Sequence, residues 1–136
     1  MKIEGSCHCG FLQYEADVDP RKTRVCYCTD CQVMGGGAFR GTLPVAREDF
    51  YLTAGEPACY VKTTADSGEP RAQIFCPRCG THLYATGVGD AATVYNLRPS
   101  TSVQRDALMP QAQVWTRSRP DWLADLTDLP GHEMGG

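Results

Sequence analysis

The sequence has no long hydrophobic run, and its first residues form no apolar stretch. No apolar segment approaches the roughly 18 residues of a membrane-spanning helix, so we expect no association with a membrane. Residues 1–5 lack the apolar stretch of a signal peptide. We therefore expect a cytoplasmic protein, in a reducing compartment where spaced cysteines serve as metal ligands more often than as disulfides.

Excess positive charge is also missing. The formal net charge is −3 at pH 7, and it becomes about −6 if seven cysteine thiolates bind two zinc ions. Nucleic-acid-binding proteins normally carry a basic stripe. The basic residues here instead appear scattered along the chain, as in Arg21, Lys22 and Arg24, then Arg117 and Arg119. Nucleic acid is therefore not expected as a partner.

A long amphipathic helix is the third missing feature. Short apolar or alternating segments between glycine- and proline-rich turns predict an all-β domain. We expect one domain over residues 1–125 and a loose polar tail over residues 126–136. The predicted strands are 12–18, 41–45, 50–53, 58–63, 71–75, 81–85, 92–97 and 111–115, and residues 120–125 are expected to form a helical turn.

Cysteine is what the sequence does contain, with seven of its eight residues in clusters. Cys7 and Cys9 lie near the start. Cys76 and Cys79 lie past the middle in Cys-Pro-Arg-Cys-Gly, where proline fixes φ inside the turn and glycine accepts a positive φ after it. Four thiolates make a complete structural zinc site. We expect these two pairs to form one, which would join the N-terminal strand to a distant hairpin and contribute to folding.

The remaining cluster, Cys26, Cys28 and Cys31, is local and offers only three thiols. Structural zinc sites are usually filled by four protein ligands, and catalytic sites keep a position open. The triplet therefore predicts either an open catalytic site or a structural site with a distant fourth ligand. The candidates for that ligand are His8, His82, Cys59 and Asp30.

The charge of such a three-thiolate site limits its chemistry. Zinc with three thiolates has a net charge of about −1, which makes it a poor Lewis acid and a poor activator of water. Hydrolysis is therefore not expected. A soft substrate thiolate suits the open position, where its sulfur would be placed to attack an aldehyde carbon.

Three further features lie outside the clusters. Residues 34–39 contain Gly35, Gly36 and Gly37 and predict a loop, either a plain turn or backbone that approaches a ligand closely. Cys59 is expected to be a small buried hydrophobe in a strand. Trp115 and Trp122 are expected to be core aromatics.

The cysteine motifs resemble those of the glutathione-dependent formaldehyde-activating family, also called the centromere-protein-V-like family. The matching motifs are GSCHCG at residues 5–10, CYCTDCQ at 26–32 and FCPRCGT at 75–81, with further landmarks at 48–50, 55–57 and 118–123. The likeness runs from about residue 3 to about residue 125. Two departures concern the substrate rather than the metal: Tyr27 stands where the family commonly has histidine, and no basic residue follows Cys31 in Gln32-Val33-Met34.

The resemblance implies an all-β zinc fold of the β-tent kind with two zinc ions per chain. It implies a structural zinc on four cysteines and a functional zinc on three, which would be the catalytic centre. The implied activity is the condensation of glutathione with formaldehyde to S-(hydroxymethyl)glutathione, classed as a carbon–sulfur lyase reaction. The implied ligand sets are Cys7, Cys9, Cys76 and Cys79 for the structural ion, and Cys26, Cys28 and Cys31 for the functional ion.

Proton transfer must accompany this reaction, because the adduct forms as an alkoxide. His82, Tyr27 and Asp30 are the candidates near the clusters in sequence, although residues in such positions more often make a local hydrogen bond than act in catalysis. The alternative function is a non-catalytic module, for protein interaction or metal handling, in which both zinc sites are structural.

Overall fold

The structure, a computed structural model, describes residues 1–135. Strands dominate it. One α-helix, α1, spans Thr29–Gly35, and short 3-10 helices connect the strands, with a longer one at Asp121–Asp128. The strands are β1 Lys2–Ser6, β2 Gln13–Asp17, β3 Arg24–Cys26, β4 Arg40–Ala46, β5 Phe50–Ala54, β6 Ala58–Lys62, β7 Arg71–Phe75, β8 His82–Thr86, β9 Val94–Leu97 and β10 Ala112–Val114.

The strands form two sheets. The smaller has the order β1-β2-β5, and the larger has the order β10-β3-β4-β9-β8-β7-β6. Neighbouring strands are antiparallel except for β10, which runs parallel to β3. The predicted all-β fold is confirmed. In the described part of the chain, no helix is long and apolar enough to cross a membrane.

The hydrophobic core joins the two sheets. Residues 12, 14, 16 and 18 are buried and residues 13, 15 and 17 are exposed, so the predicted alternation is confirmed. Tyr14 packs against Phe50 of β5 with ring centroids 5.3 Å apart. Phe50 in turn contacts Tyr84 of β8 and Tyr95 of β9 edge to face, which connects the smaller sheet to the larger. Each buried side chain of this size contributes roughly 1.5–3 kcal/mol through removal from water.

The chain around the triplet differs from the prediction. β3 and α1 have no counterpart among the predicted elements, and Met34 and Gly35 belong to the helix rather than to a loop. Cys28 caps α1 at its N-terminus, and Gly36 ends it with φ of +67°. A left-handed residue after the last turn is a common helix terminator, and glycine adopts it without steric cost.

The core positions predicted for three residues are wrong. Cys59 is exposed because β6 is an edge strand of the larger sheet. Trp115 is 41% exposed and follows the end of β10, and Trp122 is 55% exposed on a 3-10 helix that has no buried residue. That helix spans Asp121–Asp128, so it overlaps the helical turn predicted at 120–125 and continues three residues beyond it. The division at residue 125 stays a prediction.

Candidate functional site

Four cysteines meet where the two sheets approach each other. Cys7 and Cys9 lie in the turn between β1 and β2, and Cys76 and Cys79 lie in the turn between β7 and β8. All four sulfur atoms lie within 4.8 Å of one another. Cys7 Sγ is 3.6 Å from Cys9 Sγ, which is 3.8 Å from Cys76 Sγ. The cluster therefore links the smaller sheet to the larger.

Backbone and hydroxyl groups stabilise negative charge on these sulfurs. The amide N–H of Leu12 donates to Cys7 Sγ at 3.2 Å, and the N–H of Arg78 donates to Cys76 Sγ at 3.4 Å. A hydrogen bond from Thr81 is the largest influence on Cys79 and lowers the pKa of its thiol to about 5. Thiolate is the form that binds a metal ion, so the cluster is chemically prepared for one.

The second cluster consists of Cys26, Cys28 and Cys31, again with all sulfur atoms within 4.8 Å of one another. Cys26 ends β3, Cys28 is the N-cap of α1 and Cys31 lies in its first turn. The amide N–H of Cys31 donates to Cys28 Sγ at 3.3 Å. Helix α1, which the sequence did not predict, thus brings Cys28 and Cys31 of the Cys-x-x-Cys segment close together.

No described His, Cys, Asp or Glu residue joins this triplet as a fourth ligand. Asp30 instead accepts hydrogen bonds from Lys62 and Thr64, at 2.9 and 2.7 Å. His82 stacks on Phe75, with ring centroids 5.5 Å apart. The other two candidates, His8 and Cys59, also lie outside the group. The triplet is therefore one ligand short within the described chain.

Two buried arginines accompany the triplet. Arg40 begins β4 and Arg98 follows β9, and each is only 7% exposed. A hydrogen bond from Cys26 and then the positive charge of Arg40 lower the pKa of the Cys31 thiol to about 5. Burial and the neighbouring Arg40 lower the pKa of Arg98 to about 10. Two buried cations this close require nearby negative charge, and the three sulfurs can supply it.

A cavity of about 500 Å³ opens onto the triplet. Six of the 13 lysines and arginines of the chain line this cavity, but only two of the 16 acidic residues do. Six basic residues that are far apart in the sequence therefore converge in the fold, among them Arg24 and Arg117, whereas Arg21, Lys22 and Arg119 do not line the cavity. The charged lining residues are Arg24, Arg40, Lys62, Arg71, Arg98 and Arg117, with Asp30 and Asp66.

Both acidic residues of the cavity are already paired. Asp30 holds Lys62 at 2.9 Å, and this interaction together with the Thr64 hydroxyl lowers the pKa of its carboxyl group. Asp66 holds Arg117 at 3.0 Å at the exposed edge of the cavity. The remaining cations are therefore not neutralised by carboxylates of the cavity lining.

Trp115 lies at the same edge of the cavity and has an uncommon backbone. Its φ is +58°, and it is the one described non-glycine residue with a positive φ. The Arg117 guanidinium lies over its indole ring, 4.8 Å from the centroid. Backbone strain of this kind is often found at functional sites. Trp115 lines the cavity, so it is part of the cavity wall rather than of the core.

Other predicted residues are not brought to the cavity. The Tyr27 hydroxyl donates to Gln113 Oε1 at 2.8 Å, so Tyr27 has the local role that the sequence left open. His82 lies at a second cavity, and burial together with the charges of Arg40 and Arg98 lowers the pKa of its imidazole. Gly36 and Gly37 do not line the cavity at the triplet.

The fold and the two clusters define an all-β protein with two cysteine sites that could hold metal ions. The family model described as glutathione-dependent formaldehyde-activating enzyme matches residues 2–118, so the chain belongs to this family. The resemblance seen in the cysteine motifs is confirmed.

Two individual proteins are similar to this chain. A Halomonas elongata protein, which carries the provisional name of a glutathione-dependent formaldehyde-activating enzyme, is 26% identical over 129 residues, covering 90% of this chain and 80% of the relative. The crystal structure of a Rhodobacter sphaeroides protein, a structural genomics target, has a TM-score of 0.62 and 18% identity. The structural match covers 82% of this chain and 99% of the Rhodobacter sphaeroides chain, and it supports a similar fold but no shared function.

The strain at Trp115 yields a stability prediction. We expect Trp115→Gly to be more stable than Trp115→Ala by about 1 kcal/mol, because only glycine adopts a positive φ without steric cost. Urea denaturation of the metal-loaded proteins measures the difference. At Trp122, which has no positive φ, the order should reverse and alanine should be the more stable. Equal stability of the two Trp115 variants would contradict the assigned strain.

Proposed function

We propose that this protein is a zinc-dependent enzyme that joins a small thiol to a small aldehyde, a carbon–sulfur lyase by class. Glutathione and formaldehyde are the leading pair, and S-(hydroxymethyl)glutathione is the product. The observation that carries the proposal is a three-cysteine cluster that has no fourth protein ligand among residues 1–135 and opens onto a cationic cavity. Membership of the family supports the same chemistry.

The donor sets suit zinc. A Zn–S bond of about 2.3 Å in a tetrahedron places neighbouring sulfurs roughly 3.8 Å apart. The separations of 3.6 and 3.8 Å from Cys9 to Cys7 and to Cys76 agree with this value. Thiolates also select soft or borderline metals over magnesium and calcium. These distances support a zinc ion in the four-cysteine cluster, and we propose a second zinc ion at the triplet, whose sulfurs lie within 4.8 Å of one another.

The four-cysteine site would be structural. It connects turns from both sheets, and two of its cysteines, Cys7 and Cys76, are part of the hydrophobic core. Metal binding there would lower the free energy of the folded state directly. Neither the cavity at the triplet nor the second cavity beside His82 is lined by these four cysteines, so we assign the site no role in the reaction.

The three-cysteine site would be the reactive one. Zinc bound there would hold the substrate sulfur as a thiolate. Arg40 and Arg98 supply positive charge beside the cluster, which stabilises an additional thiolate in this partly buried place. The cavity volume lies within the roughly 300–1,000 Å³ typical of small-molecule sites. A bound thiol and an aldehyde held side by side gain the rate advantage of proximity.

The reaction also needs a proton for the alkoxide oxygen that forms when sulfur attacks the carbonyl carbon. Lys62 lies in the cavity wall, and Asp30 fixes its ammonium group. Lys62 is the one lysine of the cavity lining, and a positioned lysine ammonium group can act as a general acid. The cytoplasmic location stays a prediction from the sequence.

Loss of the structural zinc should abolish folding. We expect Cys76→Ser to give insoluble or unfolded protein, because the change removes a thiolate that is fully buried at the junction of the sheets. Cys59→Ser is the matched control, since Cys59 is exposed and outside both clusters. Solubility, circular dichroism and zinc content measure the outcome. A well-folded Cys76→Ser protein that has lost half its zinc would overturn the structural role.

Loss of the reactive zinc should leave the fold and remove the activity. We expect Cys28→Ser to lower the zinc content from two ions to one and to reduce adduct formation, above the uncatalysed rate, by at least about 100-fold. NMR detection of S-(hydroxymethyl)glutathione and elemental analysis measure the two effects, with Cys59→Ser again as control. Unchanged catalysis by a one-zinc Cys28→Ser protein would contradict the proposal. A wild type with two zinc ions and no activity would favour the structural module.

A further inference from the structure

The unpaired charges of the cavity indicate which thiol it binds. This inference rests on the proposed function and specifies its substrate class. Each lining cation can be assigned to a negative group of the protein, of the metal site or of the ligand, because charges removed from water must be compensated. The cations left without a protein partner then describe the ligand.

Two of the six cations belong to the metal site. Zinc with three cysteine thiolates has a net charge of about −1, and a substrate thiolate brings the site to about −2. Arg40 and Arg98 lie beside these sulfurs and together carry a charge of about +2. The two arginines therefore balance the charge of a zinc ion bound by three cysteine thiolates and one substrate thiolate. We therefore do not assign either guanidinium to another acidic group of the ligand.

Two more cations are satisfied by the protein. Lys62 is held by Asp30 at 2.9 Å, and Arg117 is held by Asp66 at 3.0 Å. These pairs also use both acidic residues of the cavity lining. An ammonium group of a ligand would find no free carboxylate there. It would have to displace a cation that is already paired.

Arg24 and Arg71 remain. Arg24 is the first residue of β3 and Arg71 is the first residue of β7, so the sheet presents them from different strands. Neither side chain has a hydrogen-bond or ion-pair partner in the described chain. The Nε atoms of Arg24, Arg40 and Arg98 are all buried and unpartnered, but Arg40 and Arg98 each donate another N–H to the protein, to Gln73 Oε1 and to the Gly41 carbonyl. Guanidinium groups bind carboxylates and phosphates through paired hydrogen bonds.

We infer that the thiol site of this protein binds two or more acidic groups of its ligand besides the sulfur, and that it offers no free carboxylate to an ammonium group of the ligand. Glutathione meets the first condition through its two carboxylates, but it also carries an ammonium group. The site should therefore accept glutathione and prefer a thiol of the same shape without the ammonium charge. Arg24 and Arg71 are the residues that bind the acidic groups.

N-acetylglutathione is the matched probe, because acetylation removes the ammonium charge and leaves the thiol and both carboxylates. We expect the zinc-loaded wild type to bind it at least about fivefold more tightly than glutathione in calorimetric titrations at low salt. Both ligands carry the two carboxylates, so Arg24→Gln and Arg71→Gln should weaken the binding of each. The ratio should also fall toward one, because each change removes a cation that repels the ammonium group of glutathione. It should persist in Arg21→Gln, whose side chain is 88% exposed and outside the cavity.

Several results would overturn the inference. Glutathione binding as tightly as or more tightly than its N-acetyl form excludes the proposed selectivity, as does a preference that survives in both Arg24→Gln and Arg71→Gln. Zinc content and circular dichroism of the variants exclude a trivial folding defect. S-methylated N-acetylglutathione separates the two proposals. Equal binding of this thioether and the free thiol would refute the thiol site while leaving the anion selectivity standing.

Discussion

The site depends on the balance between three thiol groups and two buried guanidinium groups. Arg40 and Arg98 are each 7% exposed, and burying two like charges together is costly unless opposite charge is close. Cys26, Cys28 and Cys31 can supply that charge. A hydrogen bond from Cys26 is the main cause of the lowered pKa of Cys31, and the positive charge of Arg40 adds to it. The same balance changes the expected chemistry of the metal, because a three-thiolate site that repels anions in isolation can accept another thiolate beside two arginines.

The two cysteine clusters lie in different surroundings in the fold. The four-cysteine cluster joins turns of both sheets, and backbone amides donate hydrogen bonds to its sulfurs, which fits the structural role proposed for it. The three-cysteine cluster lies at the end of β3 and the start of α1, where it opens onto solvent through a charged cavity. A closed set of ligands suits stability, and an incomplete set beside a cavity suits ligand exchange.

The sequence predicts the parts of this protein that depend on local spacing. The Cys-x-Cys and Cys-x-x-Cys pairs, and the alternation from Leu12 to Val18, follow from short-range geometry. The arginine-rich cavity has no such signal, because Arg24, Arg40, Arg71 and Arg98 come from four separate parts of the chain and meet only through strand pairing. α1 is missed because its seven residues are too few for a periodic pattern and end in glycine. The exposure of Cys59 depends on β6 being an edge strand, which strand order alone decides.

The most direct test of the account is optical titration of the protein with cobalt(II) in place of zinc, since cobalt absorption reports the number of thiolate ligands. A saturating free thiol, glutathione or its N-acetyl form, should change the spectrum of one of the two ions, and S-methylglutathione should change neither. That result would establish an open Cys26, Cys28 and Cys31 site that takes a thiol as its fourth ligand. Two ions that both show four-ligand spectra from the outset and respond to no thiol would contradict the account.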